Sequence, residues 1–330
     1  MTIPAASLLA LLADGAPHRS AELAGRLGVG GDALQQLADE LRDRGVAVAG
    51  SPEDGYRLPQ PVELLDAQRI ASAARGRGKP LPVPVEVLFE TGSTNTFLAE
   101  APPPRPDRPR VVFAELQHAG RGRRGRSWLA PFGSGLTFSL AWTFAATPPG
   151  LAALGLALGV AVAQALRQLG LGEARLKWPN DIVWRGHKLG GLLLQLRSEP
   201  AGPATVVAGL GLNLSLPPAA REALATGAAL PATDLCEAMA GALPGRNELA
   251  AVLTAALLET LADFERSGFA PFADRWAALD ALAGERVRVI EGSTGVEGEA
   301  CGVDADGALQ LRVDGAIRRF HSGDVSLRRC

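Results

Sequence analysis

Four arginines and three glycines fall within the seven residues 120–126, in the stretch VVFAELQHAGRGRRGRSW that covers residues 111–128. Glycine lets backbone approach a ligand closely, and arginine adds a planar fork that grips phosphate or carboxylate through two donors. The stretch therefore has the chemistry of an anion cradle. A second set of polar residues lies in KWPNDIVWRGHK, where Lys177, Asn180, Asp181 and Lys188 offer two cations, an amide and a carboxylate within twelve residues. Asn180 and Asp181 could orient a ligand or hold magnesium through oxygen, and an ion pair between Asp181 and Lys188 is the plainer alternative. A third set, TGSTN at 91–95, places hydroxyls and an amide where a strand gives way to a helix. Helix N-termini bind anions and polar groups, although a simple N-cap explains the same residues without a ligand.

Lysine usage sharpens the second set. Of 33 basic residues only Lys79, Lys177 and Lys188 are lysine, so this chain uses arginine wherever a generic positive charge suffices. A lysine that persists hints that a compact ammonium is needed, and two of the three flank KWPND. Lys79, in RGRGKP, shows the limit of the hint.

GRGRRG also fits the G-x-G-x-x-G expression, but a dinucleotide fold requires a helix directly after it and an acid about 20 positions on. Here SWLAPFGSGLTFSLAW follows, with Pro131, Gly133 and Gly135 leading into another strand. The dinucleotide reading fails. A nucleic-acid patch fares no better, because the basic run is short and the chain carries a net charge of −2. A phosphate-gripping loop between two strands is the remaining reading.

The elements that must position these groups can be read from periodicity. At 330 residues, 47% of them hydrophobic and 21% charged, the chain is sized for two or three globular units. Residues 1–62 predict three helices and a β-hairpin. SLLALLA is the first helix, Ser20 caps a second that ends at Gly28, and Leu34, Leu37 and Leu41 mark a third. Two short strands then meet at Asp54-Gly55, which completes a winged helix-turn-helix pattern. Its recognition helix offers Gln35 and Gln36 but carries Asp32, Asp39, Glu40 and Asp43 against Arg42 and Arg44. That acidic balance opposes phosphate contact, so operator DNA binding and a structural appendage both stay open. Residues 63–84 read as a linker with a short helix and an extended RGRGKPLPVP.

From 85 to 283 the pattern is a larger α+β unit. VEVLFE, VVFAELQ and TVVAGLGLNLS are strands, and ARLKWPNDIVWRGHKLGGLLLQLR is a hairpin turning at Arg185-Gly186, with Trp178-Pro179 held extended. Leu151 begins a sixteen-residue uncharged stretch, Ala/Gly-rich and preceded by Pro148-Pro149, which predicts a buried core helix rather than a membrane span. Neither it nor SLLALLA, which lacks a charged leading segment, carries a targeting signal, so a cytoplasmic protein without membrane contact is expected. Cys236, Cys301 and Cys330 lie far apart with no zinc spacing. Residues 284–330 switch to period two with DADG and VDG turns, which predicts a small SH3-like barrel.

Taken together, STN at 93–95, QHAGRGRRGRSW at 117–128, KWPNDIVW at 177–184, KLGGLLLQL at 188–196, GLGLNLS at 209–215 and the final SGDVSLR resemble the biotin–protein ligases. The resemblance runs in order along the whole chain and is strongest to the bifunctional bacterial type that also represses the biotin operon. It implies a central class II synthetase-like biotin/lipoate ligase domain with a mixed sheet, between the winged helix-turn-helix and the SH3-like barrel. It implies ATP and biotin as substrates with Mg2+, formation of biotinyl-5′-adenylate, and transfer to one lysine of a biotin carboxyl carrier protein such as that of acetyl-CoA carboxylase. A homodimer and operator DNA are the further partners it implies.

By the same resemblance Ser93, Thr94, Asn95 and Gln117 would hold the biotin ring, with Gly120, Arg121, Gly122 and Arg123 along its chain and carboxylate. Lys188 would sit between that carboxylate and the α-phosphate, and Arg123 and Lys177 would join it in catalysis. Arg123, Arg124, Arg126, Trp128, Lys177, Asn180, Asp181 and Asn213 would face the adenylate, with Asp181 toward magnesium. Residues 217–232 contain no aromatic, where repressor-type members often place a tryptophan against adenine. A lipoate–protein ligase would share the central fold, but that family's arginine-and-triple-glycine motif is absent. A biotin sensor acting chiefly on DNA is the alternative from another class.

Overall fold

The computed structural model describes residues 3–197, 203–225, 230–291, 294–321 and 325–329. Four residues of the 217–232 segment (226–229) and the first three of SGDVSLR (322–324) lie outside them.

The chain opens with α1 (Ile3–Leu12), α2 (Ser20–Leu27) and α3 (Gly31–Asp43), followed by the hairpin of β1 (Ala49–Ser51) and β2 (Gly55–Arg57). Leu8, Leu12, Leu23, Leu34, Leu37, Leu41 and Tyr56 close a core of their own. Apolar residues three and four apart on α3 put Leu34, Leu37, Ala38 and Leu41 on its buried face. Gly28 ends α2 in the left-handed conformation that glycine adopts without penalty. Arg19, not Ser20, occupies the N-cap of α2, and Ser20 is its first helical residue. The unit leans on the edge of the next sheet, since Leu116 belongs to its core and Phe89 and Phe132 pack against it.

The segment after the hairpin is built into the protein. Asp66 caps α4 (Ala67–Gly76) by accepting from the Arg69 N–H, and Ile70 and Ala74 are buried in the main core. Just before it, Glu63 accepts from Asn247 Nδ2 at 2.9 Å, while Asp66 N–H donates to Asn247 Oδ1 at 2.8 Å.

The centre is a seven-stranded mixed sheet. In chain order come β3 (Val85–Thr91), α5 (Thr94–Glu100), β4 (Arg110–Gln117), β5 (Gly135–Thr143), α6 (Leu154–Gln168), β6 (Arg175–Lys177), β7 (Asp181–Trp184), β8 (His187–Arg197) and β9 (Thr205–Asn213). In space the strands run β3-β4-β5-β9-β8-β7-β6. Only β3 and β4 are parallel, joined by α5 as a crossover; the other pairs are antiparallel. The long apolar stretch is indeed a core helix: eleven residues of α6 are buried, and Gly159 lets it approach Leu176 closely. A helix apolar on all sides is one packed on all sides, and each leucine so buried contributes roughly 1.5–3 kcal/mol. After β9 follow α7 (Pro218–Ala225), α8 (Leu235–Ala238), α9 (Arg246–Ser267) and α10 (Ala270–Leu279), of which α9 packs on α4 and α6.

The KWPND segment departs from the expected single extended strand. The Trp178–Pro179 peptide is cis, and the chain reverses there from β6 into β7 before the Arg185-Gly186 turn leads to β8. Arg185 and Gly186 both have positive φ, as a tight two-residue hairpin turn requires.

Five antiparallel strands finish the chain: β10 (Arg286–Glu291), β11 (Thr294–Val303), β12 (Leu309–Val313), β13 (Ala316–Phe320) and β14 (Val325–Arg329), in the order β13-β12-β11-β10-β14. Val287, Val289, Leu309, Leu311 and Phe320 join the core of the central unit. Trp178 is fully buried at this junction and donates to the Gly307 carbonyl at 3.1 Å.

Candidate active site

One cleft on the central sheet collects the three sets of polar residues. The N-terminus of α5 supplies Ser93, Thr94 and Asn95, the end of β4 supplies Gln117, and the loop after it supplies Arg121 to Trp128. From the other side come Lys177, Pro179, Asn180 and Asp181 at the β6–β7 turn and Lys188 on β8. Gly209 and Gly211 of β9 form part of the floor.

Those two glycines are two residues apart and so face the same side of the sheet. A side chain at Gly209 would collide with Asn95 Oδ1, and one at Gly211 with the Trp128 indole. Their bareness is what admits Asn95 at one end of the cleft and Trp128 at the other.

The arginine loop is tied to itself. Arg121 bridges Ser127, Gly122 N–H donates to Arg126 O at 2.7 Å, and Trp128 N–H donates to Gly120 O at 2.8 Å. A short 3-10 turn spans Arg123–Gly125, with Arg124 at φ 60°. Strand β5 follows as the antiparallel neighbour of β4, which is the strand-loop-strand context that rules out a dinucleotide turn. Arg123 Nη1 reaches Asn180 Oδ1 at 3.5 Å, while Asn180 Nδ2 donates to Leu192 O at 2.8 Å. Asn180 is thereby pinned to β8 and presents its oxygen to the loop.

Electrostatically the cleft is cationic. Arg121, Arg123, Arg124, Arg126, Lys177 and Lys188 line it, against the single carboxylate of Asp181 among the described residues. Lys188 Nζ donates to Asp181 Oδ1 at 2.6 Å, and the buried Lys177 lies 3.9 Å from Asp181 Oδ2. The ion pair foreseen between Asp181 and Lys188 is present. Lys188 Nζ also stands 5.8 Å from the centre of the Trp128 ring, whose Nε1 is buried without a hydrogen-bond partner among the described residues. Arg121, Arg124 and Arg126 make no salt bridge among the described residues. Fixed positive charge of this density suits two anionic groups brought together.

The opposite end of the cleft is neutral and hydrogen-bonding. Thr94 N–H donates to Gln117 Oε1 at 2.7 Å, and Thr94 Oγ1 lies 2.7 Å from Ser139 Oγ. Ser93 is the N-cap residue of α5 but makes no side-chain cap bond, and it lines the cleft. Ser139, Gln195 and Thr137 were not singled out from sequence. They sit mid-strand, where an alternating pattern marks a face but not a pocket.

Two expected site residues lie elsewhere. Asn213 is buried behind the cleft, and its Nδ2 donates to Thr233 O at 2.9 Å. Thr233 N–H in turn donates to Lys188 O, and Lys188 N–H to Pro231 O. Through that nitrogen Asn213 holds the segment that braces the Lys188 backbone, and it is not among the residues that line the cleft. Gly120 does not line the cleft either, and a side chain there would collide with the Trp128 carbonyl. His118 is exposed at the base of the loop, 3.7 Å from Glu90, and is not among the residues that line the cleft.

Two family models match the chain: the biotin/lipoate A/B protein ligase family over residues 89–213 and the biotin protein ligase C-terminal domain over 283–328. The bifunctional ligase/repressor BirA of Salmonella typhimurium is 37% identical, across 99% of this chain and 98% of that protein. A biotin–[acetyl-CoA-carboxylase] ligase of Paracoccus denitrificans is 36% identical, across 61% of this chain and 83% of its own length. Among solved structures, the Aquifex aeolicus biotin protein ligase in complex with biotin and ATP superposes with a TM-score of 0.62 at 27% identity, covering 74% of this chain and 99% of that one.

Proposed function

Because this chain belongs to the biotin/lipoate A/B protein ligase family and is related along its whole length to a bifunctional bacterial member, we infer that it is a biotin–protein ligase. ATP and biotin are its substrates, and a carboxylase carrier protein is its partner. The observation that carries the reading is the division of one cleft into a neutral hydrogen-bonding end and an end lined by six cations.

In the first step a carboxylate oxygen of biotin attacks the α-phosphorus of ATP and pyrophosphate leaves. In the second the amine of a carrier lysine attacks the acyl carbon of biotinyl-5′-adenylate and AMP leaves. Both reactants of the first step are anions, so the barrier contains their mutual repulsion and the charge of the pentavalent state. We assign Lys188 to the meeting point of carboxylate and α-phosphate, with Arg123 and Lys177 stabilising the transferred charge. Arg121 and Gly122 would follow the substrate's chain, and Arg124, Arg126, Trp128 and Asn180 would hold the nucleotide. Ser93, Thr94 and Gln117 would meet the ring. An acyl-adenylate hydrolyses readily, so a loop that ties itself across the cleft serves to keep water out.

Magnesium fits this donor set as a companion of the nucleotide: Asp181 is the one carboxylate of the cleft among the described residues, and Mg2+ takes one or two carboxylates together with phosphate oxygens. When bound it would neutralise charge on the phosphates. Asp181 would then exchange part of its contact with Lys188, freeing that ammonium for the reacting atoms.

The remaining assignments are of the same kind. Residues 1–62 form a winged helix-turn-helix, 63–84 a connecting segment, 85–283 a class II synthetase-like catalytic domain and 284–330 an SH3-like domain, in a cytoplasmic protein able to form a homodimer. Three helices with a short second turn and a hairpin support the first of these. A secondary role on operator DNA has Gln35 and Gln36, exposed on α3, in its favour. Against it, Arg42 is spent on Asp39, Val48 O and Gly50 O, and Arg44 on Glu40 O and Glu90, leaving α3 few phosphate donors. Exchange of labelled pyrophosphate into ATP tests the ligase reading. It should depend on biotin, and exchange that depends on lipoate instead would replace the reading with the lipoate alternative.

A further inference from the structure

The neutral end of the cleft contains a chain of hydrogen bonds whose direction is fixed by one backbone carbonyl. Asn95 Nδ2 lies 3.2 Å from Leu193 O and 3.1 Å from Gln195 Oε1. A backbone carbonyl can only accept, so the nitrogen of this amide must face Leu193 and its Oδ1 must face the other way. Ser139 Oγ is 2.6 Å from that oxygen and must donate to it. Ser139 has one hydroxyl hydrogen, and this contact uses it. Thr94 Oγ1, 2.7 Å from Ser139 Oγ, must therefore donate its own hydrogen to Ser139.

Two consequences reach the cleft. Thr94 Oγ1 is left with lone pairs, and so acts as an acceptor toward anything in the cleft. Gln117 Oε1 is occupied by the Thr94 backbone N–H at 2.7 Å, which turns the donor end of that amide away from Thr94. The reverse arrangement, with the Thr94 hydroxyl donating to Gln117 Oε1 at 3.2 Å, would leave either the 2.7 Å Thr94–Ser139 contact without a hydrogen or, were Ser139 to donate to Thr94, Asn95 Oδ1 buried beside Gly209 without a donor. The chain of bonds runs through Ser139, fully buried, and Asn95, 3% exposed, so water does not compete for it.

We propose that Asn95, Ser139 and Gln195 are positioning residues that set the polarity of Thr94, making the neutral end of the cleft an acceptor for a substrate N–H beside a donor for a substrate carbonyl. This rests on the biotin–protein ligase reading and deepens it. A cyclic urea carries N–H donors flanking a carbonyl acceptor, whereas a dithiolane ring carries neither. Selectivity for the ureido ring thus originates one and two bonds behind the residue that touches it. Asn95 spends its amide inside the protein and acts through Thr94.

A double-mutant cycle on biotin-dependent adenylate formation tests this. Ser139→Ala should raise the KM for biotin about five- to tenfold and leave kcat within about twofold, because the reacting carboxylate lies at the other end of the cleft. In a Thr94→Val background, which has no hydroxyl to orient, Ser139→Ala should add less than about twofold. In a Thr94→Ser background the full effect should return. Gln195→Ala, at a half-buried strand position, should give a smaller KM effect of about two- to fourfold with the same dependence on the Thr94 hydroxyl, and it decides the matter if Ser139→Ala does not fold. Effects that multiply unchanged in the Thr94→Val background would overturn the relay. Absence of biotin-dependent adenylate in the unsubstituted protein would instead overturn the ligase reading beneath it.

Discussion

Gly211→Ala places one methyl group where the structure has no room for it. The added Cβ would lie 2.4 Å from Trp128 Cε2 and 2.7 Å from both Cζ2 and Nε1. Ordinary contact begins near 3.4 Å, so the indole must retreat by about 1 Å. Trp128 closes the arginine loop through its N–H to Gly120 O and lies under Lys188, so the retreat displaces the groups that must meet the phosphates. A misplacement of about 1 Å can cost on the order of 100-fold in rate, while overpacking of this kind costs about 1–3 kcal/mol in stability. Biotin-dependent pyrophosphate exchange should therefore fall about 100-fold in a protein that still melts cooperatively. The biotin KM should change far less, since Gln117 and Thr94 lie at the other end. Exchange within about threefold of the unsubstituted protein would refute the role of Trp128 as the loop's anchor.

Three further perturbations separate chemistry from architecture. Lys188→Ala should lower adenylate formation by about 100- to 1000-fold in a stopped assay, the usual cost of one donor aimed at developing charge, with a melting temperature little changed because Lys177 still faces Asp181. Arg246→Met should destabilise the protein by about 3–5 kcal/mol in a denaturant titration, because Glu115, buried and paired with Arg246 at 2.9 Å, would be left as an uncompensated charge. Burial raises the carboxyl pKa of Asp280 above its ordinary value, with the Leu282 N–H opposing the shift. The folded protein thus holds that proton more tightly than the unfolded chain, and stability falls as pH rises between the two values. Asp280→Asn should accordingly stabilise the protein more at about pH 7 than at about pH 3, as melting temperatures at the two pH values would register.

Much of the site was legible because it is written in local segments. The arginine–glycine loop, STN and KWPND with Lys188 each carry unusual composition, and all three meet in one cleft. The dinucleotide expression was correctly set aside on context alone, since β5 pairs with β4 directly after the loop. What stayed hidden depends on tertiary contact. Ser139 and Gln195 look like ordinary strand residues until the close approach of Asn95 to Gly209 brings them together. The partner of Asn213 was hidden for the same reason: an amide at a strand end looks free on both sides, but the segment that returns beside Lys188 takes its donor. Trp178 is the converse case, a residue inside the most distinctive motif whose ring is buried against the C-terminal sheet. The 63–84 segment read as a linker because its second half, RGRGKPLPVP, is rich in Gly, Pro and Arg; the buried side of α4 and the Glu63–Asn247 contacts hold its first half to the core.

The central claim is that this cleft activates biotin and delivers it to a carrier lysine. Incubation of the protein with MgATP, labelled biotin and an apo biotin carboxyl carrier domain tests it most directly, read by mass spectrometry of the carrier. One label per carrier on a single lysine, lost when ATP is omitted or when Lys188 is replaced by Ala, is the predicted result. A carrier that stays unlabelled while a known ligase labels it under the same conditions would contradict the claim.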